Sequence, residues 1–166
     1  MTSRTFQRLT LPLLGRVAPL VLLLFLAVPA SAQTPEEEER AVVAAAQRLF
    51  DALAVKDEAT LMAAVLPEGR VSSHVEHDGR VTVRTSSWTD WAARLPQVPQ
   101  RLEERMYSPE VRVRGTLATV WAEYDFFVDG ARSHCGIDLF DLAKVDGEWR
   151  VLNISFTRET EGCPTR

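Results

Sequence analysis

The chain has 166 residues, 46% of them hydrophobic and 25% charged, with a formal net charge of −4 at pH 7. That length and apolar fraction suit one globular domain with a core of its own. An acidic chain without a basic stripe is a poor match for nucleic acid or an anionic lipid surface, and neither is expected as a partner.

Residues 1–32 read as an export signal. Arg4, Arg8 and Arg16 form a positive start, Val17–Val28 an apolar stretch, and Ala30-Ser31-Ala32 a small-residue cleavage site. The apolar stretch is shorter than the roughly 20 residues a spanning helix needs, so no membrane attachment is expected after cleavage. The expected mature domain is 33–166, periplasmic or secreted, with a formal charge of about −7 once the three arginines leave. Both cysteines, Cys135 and Cys163, belong to this part. In an oxidising compartment an even pair favours a disulfide, which would stabilise the fold by about 3–4 kcal/mol.

Thr34-Pro35-Glu36-Glu37 starts a helix: Thr34 caps, Pro35 suits the first turn, and Glu37 completes a capping box. The acids Glu36–Glu39 read as a solvated first turn. Val42, Ala46, Leu49, Phe50 and Leu53 recur at helical spacing and predict one buried stripe. A shorter helix starts at Asp57, carries Leu61, Met62 and Val65, and ends at Pro67 and Gly69. Strands at Val71–Glu76 and Val81–Arg84 flank an Asp78-Gly79 turn. Ser87 caps a short helix bearing Trp88 and Trp91, Leu95–Pro99 is a loop, and Leu102–Arg114 reads as strand in its second half.

The last third is the most ordered in pattern. Asp129-Gly130 and Asp146-Gly147 are two-residue hairpin turns, since Asp-Gly supplies the positive backbone angles of a type I′ turn. They separate Leu117–Val128, Ala131–Val145 and Glu148–Thr157. Counting back from the turns pairs Asp125 with His134, Trp121 with Asp138, Phe140 with Asn153, and Asp138 with Ser155. One face is then nearly all apolar (Val120, Ala122, Tyr124, Phe126, Ile137, Leu139, Ile154, Phe156). The other gathers Trp121, Asp125, His134, Asp138, Phe140, Trp149, Asn153 and Ser155, a mixed set that suits either a solvated face or a small-molecule pocket. Helices first and a meander after make an α+β fold, helices packed on a curved antiparallel sheet.

That order, with Trp121-Ala122-Glu123-Tyr124 before one hairpin and Asp146-Gly147-Glu148-Trp149-Arg150-Val151 around the next, resembles the nuclear transport factor 2-like superfamily. The stretch His134-Cys135-Gly136-Ile137-Asp138-Leu139-Phe140, continuing to Asn153 and Cys163, is similar to its exported bacterial, SnoaL-like and lumazine-binding members. The resemblance implies a cone-shaped sheet (a cystatin-like roll) wrapped around a long helix, a pocket at the open end, and a homodimer through the outer sheet surface. It would put the mixed face inside the cone and the apolar face at the dimer contact. Asp138 matches the oxyanion-hole acid of ketosteroid isomerases, which an apolar site keeps protonated. Leu49 and Ser73 stand where those enzymes carry a tyrosine and a carboxylate base, so their mechanism is not implied.

The expected function is binding of a small apolar or aromatic ligand by Trp121, Asp138, Phe140, Asn153, Ser155 and Trp88. An alternative is a hydratase- or cyclase-like lyase or isomerase with His134 and Asp125 as a base pair and Asp138 as acid. A third is a dimerisation module. Trp88 and Trp91, three residues apart, suit core packing or a pocket lid. His74 and His77 point to opposite faces of a strand, and no metal or cofactor is expected. The bridge Cys135–Cys163 is read as a staple for the C-terminal strand.

Overall fold

The computed structural model describes residues 34–166; the expected signal at 1–32 lies outside the described residues. Helix α1 is Pro35–Val55, with Thr34 and Glu37 forming the reciprocal capping box. Its buried side is the expected stripe of Val42, Ala46, Leu49, Phe50 and Leu53. The larger groups among them, Val42, Leu49, Phe50 and Leu53, each contribute on the order of 1.5–3 kcal/mol to folding. Helix α2 is Glu58–Ala64 behind the Asp57 cap, and α3 is Trp88–Arg94 behind the Ser87 cap. Leu95–Gln97, expected as loop, forms a 3-10 turn.

Six strands follow the helices or lie between them: β1 Arg70–His77, β2 Arg80–Ser87, β3 Leu102–Arg114, β4 Leu117–Val128, β5 Ala131–Val145 and β6 Glu148–Thr157. They form one curved, open sheet in the order β2-β1-β6-β5-β4-β3. All neighbours are antiparallel except β1 and β6, which run parallel because the chain comes back to its first strand only with its last. All three Asp-Gly turns carry positive φ at both residues, as their sequence requires. α1 crosses the inner face against β3, β4 and β6. Its first turn is not simply solvated: Glu38 binds Lys144 and accepts from Trp149 Nε1 at 2.8 Å, tying the helix to the β5–β6 hairpin.

The register departs from the count at two places. Beside the turn, Val128 faces Ala131 and Phe127 faces Arg132, but Phe126 then faces His134, leaving Ser133 as an extra residue. In the next hairpin Leu142 faces Val151 while Asp141 faces Asn153, leaving Leu152 extra. Each bulge moves every later partner by one place and exchanges the faces. A third bulge in β3 spans Ser108 and Pro109, with Ser108 at positive φ and Pro109 at a site where its missing N–H costs no ladder bond. β3 is strand throughout, not only in its second half.

The face map is corrected accordingly. Asp125 is opposite Cys135 rather than His134, Trp121 is opposite Leu139 rather than Asp138, and Asn153 and Ser155 face Asp141 and Leu139. The inner face combines Val120, Ala122, Tyr124 and Phe126 with His134, Asp138 and Phe140, and with Ile154 and Phe156. Trp121, Asp125, Ile137, Leu139, Asn153 and Ser155 lie on the outer face.

Candidate functional site

An internal cavity of about 470 Å³ opens between α1, α3 and the inner face of the sheet. That volume lies in the range of small-molecule sites. Its wall is Leu49, Phe50 and Leu53 of α1, Trp88 and Trp91 of α3, and Val71, Ile154 and Phe156 of β1 and β6. Trp88 is fully buried, and its Nε1 donates to Leu152 O at 2.7 Å, the carbonyl of the β6 bulge. The bulge thus seats α3 over the cavity. Gly69 packs so close to the same carbonyl that any side chain there would collide with it. Trp91 meets Trp88 edge to face at 6.0 Å and is only partly buried. The pair therefore belongs both to the core and to the cavity wall.

The polar end is built by β3, β4 and β5. Glu104, missed in the sequence, enters from β3 opposite Phe126. Its signal was present: Leu102, Glu104 and Met106 alternate on the inner side, and the neighbouring Glu103 and Arg105 pair outside. Asp138 lies behind it, fully buried, and neither of its oxygens meets a donor from a neutral or cationic group. Its polar neighbour is the Glu104 carboxyl, close enough for each acid to act on the other's titration. Two ionised carboxylates this close and this deeply buried would repel, so the pair favours holding a proton. Burial, then the Asp138 charge, drives Glu104 well above the ordinary carboxylate range. Burial pushes Asp138 up to about 8, against the lowering effect of the Glu104 hydrogen bond.

Tyr124 stands beside the two acids, within reach of both charges. It faces Gly136, and the missing side chain there lets its hydroxyl pass over β5 to donate to Thr157 O at 2.7 Å. A Cβ on Gly136 would collide with Thr157. Burial, followed by the Asp138 and Glu104 charges, raises the phenol, which stays protonated. His134 stacks on Phe126 at 4.7 Å, touches Tyr124 edge-on at 5.8 Å and has Nδ1 3.2 Å from Ser133 Oγ. Burial, and then the Arg158 charge, lowers it to about 4, so the imidazole at the cavity wall is neutral at pH 7.

Of the residues expected at the site, His134 and Trp88 line the cavity and Asp138 stands directly behind Glu104. Phe140 is buried in the core against Phe50, at 5.8 Å. Leu49 and Ser73, at the positions matched to isomerase catalytic groups, both line the cavity. Four residues are displaced by the bulges. Trp121 is 49% exposed on the outer face. Asn153 is a structural bracket, with Nδ2 donating to Asp141 and Oδ1 accepting from Arg70 N. Ser155 faces outward beside Leu139. Asp125, far from pairing with His134, is buried under the C-terminal tail beside Arg132 and Arg166. The disulfide Cys135–Cys163, with Cα atoms 5.8 Å apart, fastens that tail to β5.

The fold recurs in solved structures. A nuclear transport factor 2-like protein of unknown function from Shewanella baltica OS155 superposes with TM-score 0.57 at 18% identity, covering 81% of this chain and 100% of that one. The β subunit of a putative aromatic-ring-hydroxylating dioxygenase from Novosphingobium aromaticivorans gives 0.63 at 12% identity, covering 78% and 94%. A putative dehydratase of the nuclear transport factor 2-like family from Streptomyces avermitilis gives 0.59 at 16%, covering 75% and 98%. At these identities the likeness establishes fold alone. None of the curated proteins matches the sequence. The family profile described as Putative lumazine-binding matches residues 37–157. With the bent sheet, the crossing helix and the cavity between them, this match shows that the chain belongs to the putative lumazine-binding family of the nuclear transport factor 2-like superfamily.

Proposed function

We propose that this protein is an exported binder of a small, apolar-bodied molecule held in the cavity between α1, α3 and the sheet. One observation carries the reading: apolar walls close on a polar end where Glu104, Tyr124 and His134 line the cavity with Asp138 behind them, and burial disfavours a charge on each. Such an end offers hydrogen bonds to a neutral oxygen or nitrogen at little electrostatic cost. Export rests on the three-part signal and agrees with the bridge between Cys135 and Cys163, which oxidising compartments favour. Native mass spectrometry of protein purified from its own compartment tests the binding: a co-purified small molecule is expected, and its retention in a Trp91→Ala and Leu53→Trp double variant, which reshapes the wall, would refute the site.

The acid–base set also favours a second reading, a lyase or isomerase of the hydratase or cyclase kind. The Glu104–Asp138 pair keeps a proton to give and neutral His134 can accept one. Asp125 has no part in it. With the co-purified molecule in hand, His134→Ala separates the readings: an enzyme loses turnover far more than affinity, and a binder has no turnover to lose.

Partnering with a second copy is read through the outer face, where Trp121, Leu117 and Leu139 are exposed on β4 and β5. Light scattering on Trp121→Lys should then give half the wild-type mass. Val120, grouped with the contact face by the sequence count, is core and is not a suitable probe.

A further inference from the structure

The cavity has a cationic rim opposite its acid pair, and the sheet register brings the two cations together. On the inner face Arg84 of β2 stands directly across from Ser73 of β1, which stands across from Phe156 of β6. One step along, Thr82 faces Val75. Arg158 continues β6 beside Val75, its N–H donating to His74 O at 3.0 Å. Arg84, Ser73, Thr82 and Arg158 all line the cavity. Strand spacing and rise put the two arginine Cα positions about 12 Å apart on a diagonal, a gap two arginine side chains close between them. Among the described residues, neither guanidinium has a carboxylate or any other hydrogen-bond acceptor. Four arginines elsewhere behave differently: Arg101, Arg105, Arg132 and Arg166 all sit on acids. In an acidic protein, two unpaired arginines thus meet at the solvent-exposed rim of one apolar cavity, open to an anion that enters it.

We infer that the cavity takes an organic monoanion, a small aromatic or alicyclic carboxylate, with its carboxylate between Arg84 and Arg158 over the Ser73 and Thr82 hydroxyls and its apolar body between Trp88, Trp91 and α1. The inner end of that body lies toward Glu104 and His134, which line the same cavity. Planar guanidinium forks suit a carboxylate, and charge-assisted bonds of this kind are about twice as strong as neutral ones. The inference rests on the binding reading above and adds the sign of the ligand and the side from which it is held.

The test uses matched probes: benzoate against benzamide and 2-naphthoate against 2-naphthamide, each titrated by calorimetry into the disulfide-intact 33–166 chain. Each pair has one ring system and differs in charge. The carboxylates are expected to bind about tenfold or more tightly than their amides at low salt, with the gap narrowing as salt rises. Arg84→Gln and Arg158→Gln should bring the carboxylates to the level of the amides and leave the amides unchanged. Both arginines are exposed, so these variants keep the fold. Equal affinity of acid and amide in the wild type, or equal losses for both in the variants, overturns the anion and leaves the cavity reading standing. If no member of either series binds, both readings fall.

Discussion

Two buried aspartates on opposite faces of one sheet are accommodated in opposite ways. Asp125, on the outer face of β4, is covered by the C-terminal tail and lies near two guanidinium groups, Arg132 at 3.5 Å and Arg166 at 3.7 Å. Arg166 also stacks on Tyr107 at 4.1 Å and pairs with Glu123 at 2.6 Å. Asp138, on the inner face of β5, has no cation and no donor except the proton it shares with Glu104. A buried carboxylate costs several kcal/mol unless paired, or neutralised by taking up a proton. The outer site uses pairing and is architecture. The inner site uses protonation, which leaves an uncompensated acid pair with little charge at the end of a cavity, and that is the form a ligand site takes.

The sharpest way to break the comparison is to release the tail. Replacing Cys135 and Cys163 by Ser opens a loop of sequence separation 28 and should cost about 3–4 kcal/mol in urea unfolding. The same variant should lose the ordered position of Arg166, while binding in the cavity is preserved at temperatures where the chain is folded. Loss of binding with the fold intact would mean that the two faces are not independent.

The inner site should announce itself through pH. Asp138 titrates above its unfolded value, so its contribution is fully present below about pH 4 and is lost as pH rises toward and through about 8. Wild-type stability is therefore expected to fall by on the order of 3 kcal/mol between pH 5 and 9. Asp138→Asn mimics the neutral acid and should flatten much of that slope, leaving the part due to Glu104. An unchanged slope in Asp138→Asn would remove the proton-sharing pair. The outer site responds to cation loss instead: Arg132→Gln with Arg166→Gln should cost about 1–2 kcal/mol at pH 7, since partly exposed arginines contribute less than fully buried ones.

How much of this was legible depended on distance from a turn. Asp129-Gly130 and Asp146-Gly147 determine their hairpins, and the first two pairs beside the former follow the count. The capping box at Thr34, the caps at Asp57 and Ser87, the α1 stripe and the α+β order follow from local chemistry as well. The extra residues Ser133 and Leu152 carry no local mark, since neither is glycine and neither takes positive φ. A strand has period two, so these two unmarked residues, one in each hairpin, exchanged Trp121, Asn153 and Ser155 for Ile154 and Phe156 in the cavity and separated Asp125 from His134. Alternation within one strand survived: Val120, Ala122, Tyr124 and Phe126 were rightly put together. Glu104 was hidden for another reason. A run of Glu103, Glu104 and Arg105 reads as solvated, and only its position between Leu102 and Met106 shows that the middle acid points inward.

The smallest expected effect links the rim to the inner wall. His134 is lowered to about 4, first by burial and second by the charge of Arg158. A depressed histidine is stabilising above its unfolded value near 6.5, and that contribution is lost as pH falls through 6.5 toward 4. Arg158→Gln removes the second cause and keeps the first. The His134 titration, followed by NMR of its ring protons, should therefore move upward but stop short of the ordinary histidine value, because the larger cause remains. Ser73→Ala, at the same rim but without charge, should leave it in place. A midpoint unmoved by Arg158→Gln would mean that this guanidinium lies in bulk solvent and not toward the ring. Arg84 would then be the one cation at the rim, and the carboxylate would lose half of its clamp. A midpoint that rises fully to the ordinary value would mean instead that burial contributes little, and that the wall carrying His134 is open to water in solution.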